Sequence, residues 1–204
     1  IRDGDTPKSQ GKRIAVIGEP GAGKTTLLQQ IGGYVQQTLS QIPLWISLAD
    51  LGTKPLGDYL MEDFLKNAIG VLPNQEQKAE LGQLLLNNRV YLLLDGVDEM
   101  SVPNALDVLG KELQRGWATG IRVILTCRLN TWSSLENFDV YRTVGFDYPG
   151  QVHQFIDHFF NRDGSNPVLG ERLKIELNKT GNNGIKNTIR SPLQLSLLCY
   201  IFDF

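Results

Sequence analysis

Apolar residues in this chain fall into short unbroken runs, and between the runs they recur every three or four positions. The first run is Arg13-Ile14-Ala15-Val16-Ile17, closed by Gly18, and from Lys24 to Leu39 the apolar residues Leu27, Leu28, Ile31, Val35 and Leu39 follow at helical spacing. That reads as strand, glycine turn, helix. Ile42 to Leu48 (IPLWISL) reads as a second buried strand, followed by a loop through Gly52, Pro55 and Gly57 and two helical stretches at about 58–69 and 74–87. Val90 to Leu94 is a third strand, Asn104 to Trp117 an amphipathic helix, Ile121 to Thr126 a fourth strand, and Val140 to Phe146 a candidate fifth.

Near-continuous apolar strands alternating with helices indicate a parallel sheet covered on both faces. From about Asp147 the period changes: Val152, Phe155, Ile156 and Phe159, then Leu169 to Leu177, then Leu193 to Phe202 are all spaced as helices. The expected class is therefore α/β, a parallel sheet with helices on both faces, followed by a small all-helical subdomain. The expected division is a linker over 1–12, a sheet domain over 13–146 and a helical subdomain over 147–204. The chain opens on Ile1 and its last helical run stops without a cap, so it reads as part of a longer protein whose helical subdomain is cut short.

Composition adds little to this picture and excludes several alternatives. Of 204 residues, 41% are hydrophobic and 21% charged, an ordinary globular balance. The formal net charge of -2 offers no basic excess, so nucleic acid is not indicated as a partner. Cys127 and Cys199 stand alone among apolar neighbours, with neither zinc-site spacing nor disulfide density, which fits a reducing, cytoplasmic setting. No apolar run approaches the roughly 20 residues needed to span a bilayer, so no membrane partner is expected.

The glycine turn carries the first chemistry. Gly18-Glu19-Pro20-Gly21-Ala22-Gly23-Lys24-Thr25-Thr26 fills every fixed position of G-x-x-x-x-G-K-[ST], after a strand and at the start of a helix, so the sheet domain over 13–146 is expected to be that of a P-loop NTPase. Glycines let successive backbone N–H groups turn inward around a phosphate, and the helix N-terminus adds partial positive charge. Lys24 is expected to reach the β- and γ-phosphates of ATP or ADP, and the Thr25 hydroxyl to coordinate Mg²⁺.

A second motif, Leu92-Leu93-Leu94-Asp95-Gly96-Val97-Asp98-Glu99, ends the third strand. Asp95 is expected to be the Mg²⁺-linked carboxylate of a strand lying beside the one that feeds the phosphate loop. Asp98 and Glu99 are candidates to polarise the attacking water, Glu99 ahead of Asp98. Arg128, at the end of the fourth strand, is placed to sense the γ-phosphate or to stabilise transition-state charge, with Thr126 adding a hydrogen bond. His153 and His158 read as surface or boundary residues, and Trp45, Trp117 and Trp132 as packing.

Taken together, GEPGAGKTTLL, LLLDGVDEM, ILTCR and the late RSPLQLSLLC resemble the NACHT family of the signal-transduction NTPases with numerous domains, over residues from about 13 to 199. The small residue directly after Asp95, followed by Asp98-Glu99, separates the chain from typical AAA+ ATPases, which place the catalytic Glu right after that aspartate. The resemblance implies that Pro192 of Ser191-Pro192-Leu193 touches the nucleotide base, although the residues alone read it as a helix-start proline. It also implies ATP, slow hydrolysis, a homo-oligomer of the full-length parent when ATP is bound, and unknown effector and sensor domains, often in defence or cell-death signalling. A continuously cycling AAA+-like motor and a non-hydrolysing nucleotide-binding module are the alternatives.

Overall fold

The computed structural model describes Ser9, residues 11–162 and residues 166–203. Most of the linker expected over 1–12 lies outside the described residues. The described chain forms two compact units, one holding the residues up to Gly18 and Lys24–Arg142, the other Glu19–Gly23 and the residues from Thr143 onward.

In the first unit the strands β1 (Arg13–Gly18), β2 (Ile42–Ser47), β3 (Val90–Asp95), β4 (Arg122–Arg128) and β5 (Asp139–Arg142) form a parallel sheet in the order β2-β3-β4-β1-β5. The runs are apolar throughout because both faces are covered. Ala15, Ile17, Leu44, Ile46, Leu92, Leu94, Val123, Leu125 and Cys127 point into the main core, while the intervening Val16, Leu93 and Ile124 point into a smaller one. This is the two-residue alternation of a strand, with each face claimed by a different helix layer.

Helix α1 (Lys24–Thr38) covers the smaller face through buried Leu28 and partly buried Leu27 and Ile31. It lies close to the sheet at Gly32, where an added Cβ would stand 3.1 Å from Leu93 Cδ1. On the main face, α2 (Leu56–Tyr59) and α3 (Leu65–Ile69) are joined through a π-helical turn at Leu60–Phe64, and α4 (Gln75–Leu86) buries Leu81 and Leu85. Asn74 and Gln77 close a capping box at the start of α4. Then α5 (Ala105–Leu113) adds Leu106, Leu109 and Leu113 to the same core.

The second unit is helical: α6 (Gly150–Phe160), α7 (Pro167–Asn178), α8 (Asn183–Thr188) and α9 (Pro192–Asp203). Its own core gathers Val152, Ile156, Phe159, Phe160, Leu173, Leu177, Ile189, Leu195 and Cys199. Asn166 caps α7 by accepting from the Val168 N–H at 3.0 Å, and Pro167 fills the first helical position, where no N–H is needed.

Three sequence expectations change. The fifth strand ends at Arg142 rather than Phe146, whose N–H donates instead to the Arg190 carbonyl at 2.7 Å within the second unit. The helix expected over 104–117 stops at Leu113, and Trp117 belongs to a separate 3₁₀ turn, Gly116–Ala118. The third is strand order. β3 is not the neighbour of β1, because β4 lies between them and pairs with both.

Candidate functional site

In an open parallel sheet, ligands collect at the carboxyl ends of the strands. Gly18, Asp95 and Arg128 are the last residues of β1, β3 and β4, and Gly18 stands opposite Arg128 in register. The phosphate loop leaves β1 there. Gly21 and Gly23 take φ of 72° and 79°, the left-handed region that residues with a Cβ rarely enter. Glycine at both positions lets the loop fold tightly, with the Ala22 N–H donating to the Glu19 carbonyl at 3.2 Å. Helix α1 begins directly after the loop with no acidic residue in its first turn, so no side chain of that turn opposes its N-terminal field. Lys24 Nζ donates to the Gly18 carbonyl at 3.0 Å, and Thr25 and Thr26 are exposed.

Because β4 intervenes between β1 and β3, its side chains connect directly to the Asp95 motif. Thr126 Oγ1 donates to Asp95 Oδ1 at 2.5 Å and accepts the Gly96 N–H at 2.8 Å. Thr126 is buried, so this one hydroxyl satisfies a buried backbone donor and fixes the carboxylate at the same time. The hydrogen bond expected of Thr126 goes to Asp95.

The residues after Asp95 form a tight 3₁₀ turn, Val97–Glu99, preceded by Gly96 at φ 77°, with the Glu99 N–H donating to the Gly96 carbonyl at 2.9 Å. An added Cβ on Gly96 would stand 3.0 Å from both Cδ and Oε2 of Glu99. The exposed Glu99 side chain thus lies back over the glycine, which gives a physical reason for a residue without a side chain directly after Asp95. Asp98 turns the other way. Its Oδ1 accepts the Arg128 backbone N–H at 2.9 Å and its Oδ2 pairs with Arg128 Nε at 2.8 Å.

Cys127 lies fully buried between these groups. Burial, and then the negative charge of Asp98, push its thiol up to about 11, against smaller downward effects of Lys24 and of backbone hydrogen bonds from Arg128 and Asp98. It therefore stays protonated at neutral pH and is no nucleophile. Cys199 is likewise buried and pushed up to about 12.

Within the second unit, Pro192 opens α9, and its Cγ would lie 3.9 Å from a Cβ placed on Gly23. Leu193 packs closer: its N–H donates to the Gly21 carbonyl at 3.3 Å, and its Cβ would stand 2.7 Å from a Cβ on Gly21. No sequence signal singled out Leu193, since an apolar residue after a helix-start proline is ordinary. His153 is half-buried with its ring edge-on to Tyr148, and the Nδ1 of exposed His158 lies 2.8 Å from the Gln154 carbonyl oxygen. Trp117 and Trp132 pack against the main core and Trp45 against the smaller one.

Comparison with known proteins adds a family match. The family model of the NACHT domain matches residues 12–162. No curated protein matches the sequence. Among solved structures the chain is similar to AMPPCP-bound DnaA from Aquifex aeolicus, at 15% identity over 95% of this chain and 55% of that one, with a TM-score of 0.49. It is also similar to a signal transduction ATPase with numerous domains that carries a tetratricopeptide repeat sensor, from Pyrococcus horikoshii, at 15% identity, 94% and 28% coverage and a TM-score of 0.45. C. elegans PCH-2 is similar at 11% identity, 94% and 61% coverage and a TM-score of 0.48. The chain thus spans 55% of the DnaA chain and 28% of the Pyrococcus one.

Proposed function

Because this chain belongs to the NACHT family, whose domain takes in residues 12–162, we propose that it is the ATP-binding and slowly hydrolysing switch module of a signalling NTPase. The observation that carries the reading is the phosphate loop at the end of β1, with Lys24 at its close and Asp95 fixed by Thr126 two strands away.

In this reading the backbone of Gly18, Glu19, Pro20, Gly21, Ala22 and Gly23 wraps the phosphates, with Lys24, Thr25 and Thr26 at the helix start completing the cradle. Thr25 and Asp95 suit Mg²⁺: both offer hard oxygen donors, and this cation usually takes only one or two protein oxygens beside substrate phosphate. When bound, it neutralises charge on the phosphate oxygens. Glu99 takes the proton of a water that attacks the γ-phosphorus, the bond from that phosphorus to the bridging oxygen breaks, and ADP and phosphate leave. Arg128 reads the γ-phosphate, with the second carboxylate, Asp98, beside it. Pro192 touches the base, for which ATP is favoured over GTP by the resemblance to the family.

Only the γ-phosphate and its cation distinguish the two nucleotide states, so they bias the arrangement of an NTPase domain over 13–146 and a helical subdomain over 147–204. In the full-length parent the ATP state forms a homo-oligomer that activates an effector, in defence or cell-death signalling and in the cytoplasm. Glu99→Gln tests the chemistry. Turnover is expected to fall about 100-fold or more with ADP affinity retained, the range for loss of a positioned general base; unchanged turnover would remove Glu99 from the mechanism. Fast, continuous turnover by the unaltered chain would favour a motor over a switch.

A further inference from the structure

Asp98 and Glu99 are adjacent in sequence but held differently. A carboxylate that accepts a proton from water needs a lone pair facing the water, and Glu99 is exposed. Asp98 has a side chain only 6% exposed, and each of its oxygens is already engaged by Arg128, one by the backbone N–H at 2.9 Å and the other by Nε at 2.8 Å. The two contacts grip the same residue at both ends of its side chain, which fixes where the guanidinium starts and how it turns. Arg128 is 47% exposed, and the pair engages Nε, leaving the two terminal amino groups of the guanidinium outside it.

The turn that carries Asp98 is itself fixed. Gly96, at its start, donates to Thr126 on the strand that ends in Arg128, so β3 and β4 are tied both at Gly96 and at Asp98. Resting on the reading of Arg128 as the group that meets the γ-phosphate, we propose that Asp98 is a positioning residue rather than a base: it aims Arg128 before nucleotide arrives and so sets the preference for a nucleoside triphosphate over a diphosphate. A buried carboxylate paired in advance removes the need to order a long, half-exposed arginine when the phosphate binds.

Two measurements test this. In the nucleotide-free, ¹⁵N-labelled chain, the Arg128 Nε–H signal, identified by its loss in Arg128→Lys, is expected to exchange slowly with water in the unaltered protein and to shift and exchange fast in Asp98→Asn. A signal untouched by Asp98→Asn would overturn the pair. Separately, the ratio of ATPγS to ADP affinity is expected to fall about tenfold in Asp98→Asn and in Arg128→Ala, and no further in the double variant, as for two residues acting through one contact. Losses that multiply in the double variant would overturn the positioning role and return Asp98 to direct contact with substrate or metal. Asp98→Asn keeps the shape and the acceptor for the Arg128 N–H, and Arg128→Ala alters a half-exposed side chain, so the comparison does not hang on a single fragile variant. An unaltered chain that binds neither nucleotide would contradict the NTPase reading itself, with the spectroscopic measurement still deciding the pair.

Discussion

At the scale of single residues, Gly96 shows how one position serves fold and chemistry together. Its φ of 77° lies where L side chains are strained, and the space a Cβ would take is filled by the Glu99 carboxyl. Gly96→Ala is therefore expected to cost about 1–2 kcal/mol of stability from the backbone alone, measured by urea unfolding. It should also displace Glu99 and lower turnover, whereas the phosphate loop keeps its ADP affinity. Asp95, Gly96, Asp98 and Glu99 were legible in the sequence because they fall within one stretch of five residues that follows an apolar run. The Asp98–Arg128 pair was not, because thirty residues separate its members and only the side-by-side pairing of β3 and β4 brings them together. Thr126 lies in the same class: its place near a strand end was plain, but its partner depended on which strand lay next to it.

At the scale of elements, the sheet strands were readable from their apolar runs, with errors confined to ends where a loop contact, as at Phe146, competes with the ladder. Strand order was not readable. A run of apolar residues records that both faces are covered and says nothing of which run is beside it, so the placement of β3 next to β1 was an inference without a local signal. Short α8 escaped for another reason: Asn183–Thr188 buries no side chain, so it has no apolar stripe to detect. Helix α1 offers an internal comparison. Gly32 faces Leu93 with 3.1 Å available to a Cβ, whereas adjacent Gly33 has nothing within 4 Å. Gly32→Leu is expected to destabilise by about 1–3 kcal/mol through overpacking. Gly33→Ala should stabilise by about 0.5–1 kcal/mol through helix propensity. Equal effects of the two in urea unfolding would contradict the close approach of α1 to the sheet.

At the scale of the whole molecule, the change of hydrophobic period after the sheet announced a helical second part, and the described residues there do build a separate core. Among the described residues no helix is long and apolar enough to cross a membrane. The helical unit carries its own pH response. Burial first, and then the positive charge of Lys174, lower the pKa of His153 from its ordinary 6.5, against smaller upward pulls from Asp157 and Glu171. The unfolded chain therefore takes up this proton at higher pH than the folded one. The stabilisation is complete above the ordinary histidine range and is lost as pH falls through it toward the folded value. Hydrogen exchange of α6 amides should quicken between about pH 7 and about pH 5 beyond the chemical exchange trend, and His153→Gln should flatten that dependence.

The central claim concerns the phosphate loop, and the nucleotide content of the purified protein tests it most directly. The chain is denatured and any released nucleotide identified by ion-exchange chromatography, with Lys24→Ala in parallel and with added ATP or ADP where the preparation is empty. The expected result is an adenine nucleotide held at about one per chain by the unaltered protein and lost in Lys24→Ala, where the lysine's charge-assisted contact to phosphate is gone. A chain that carries no nucleotide and takes up none, or a Lys24→Ala variant that holds it as tightly as the unaltered protein, would contradict the placement of the nucleotide at this loop.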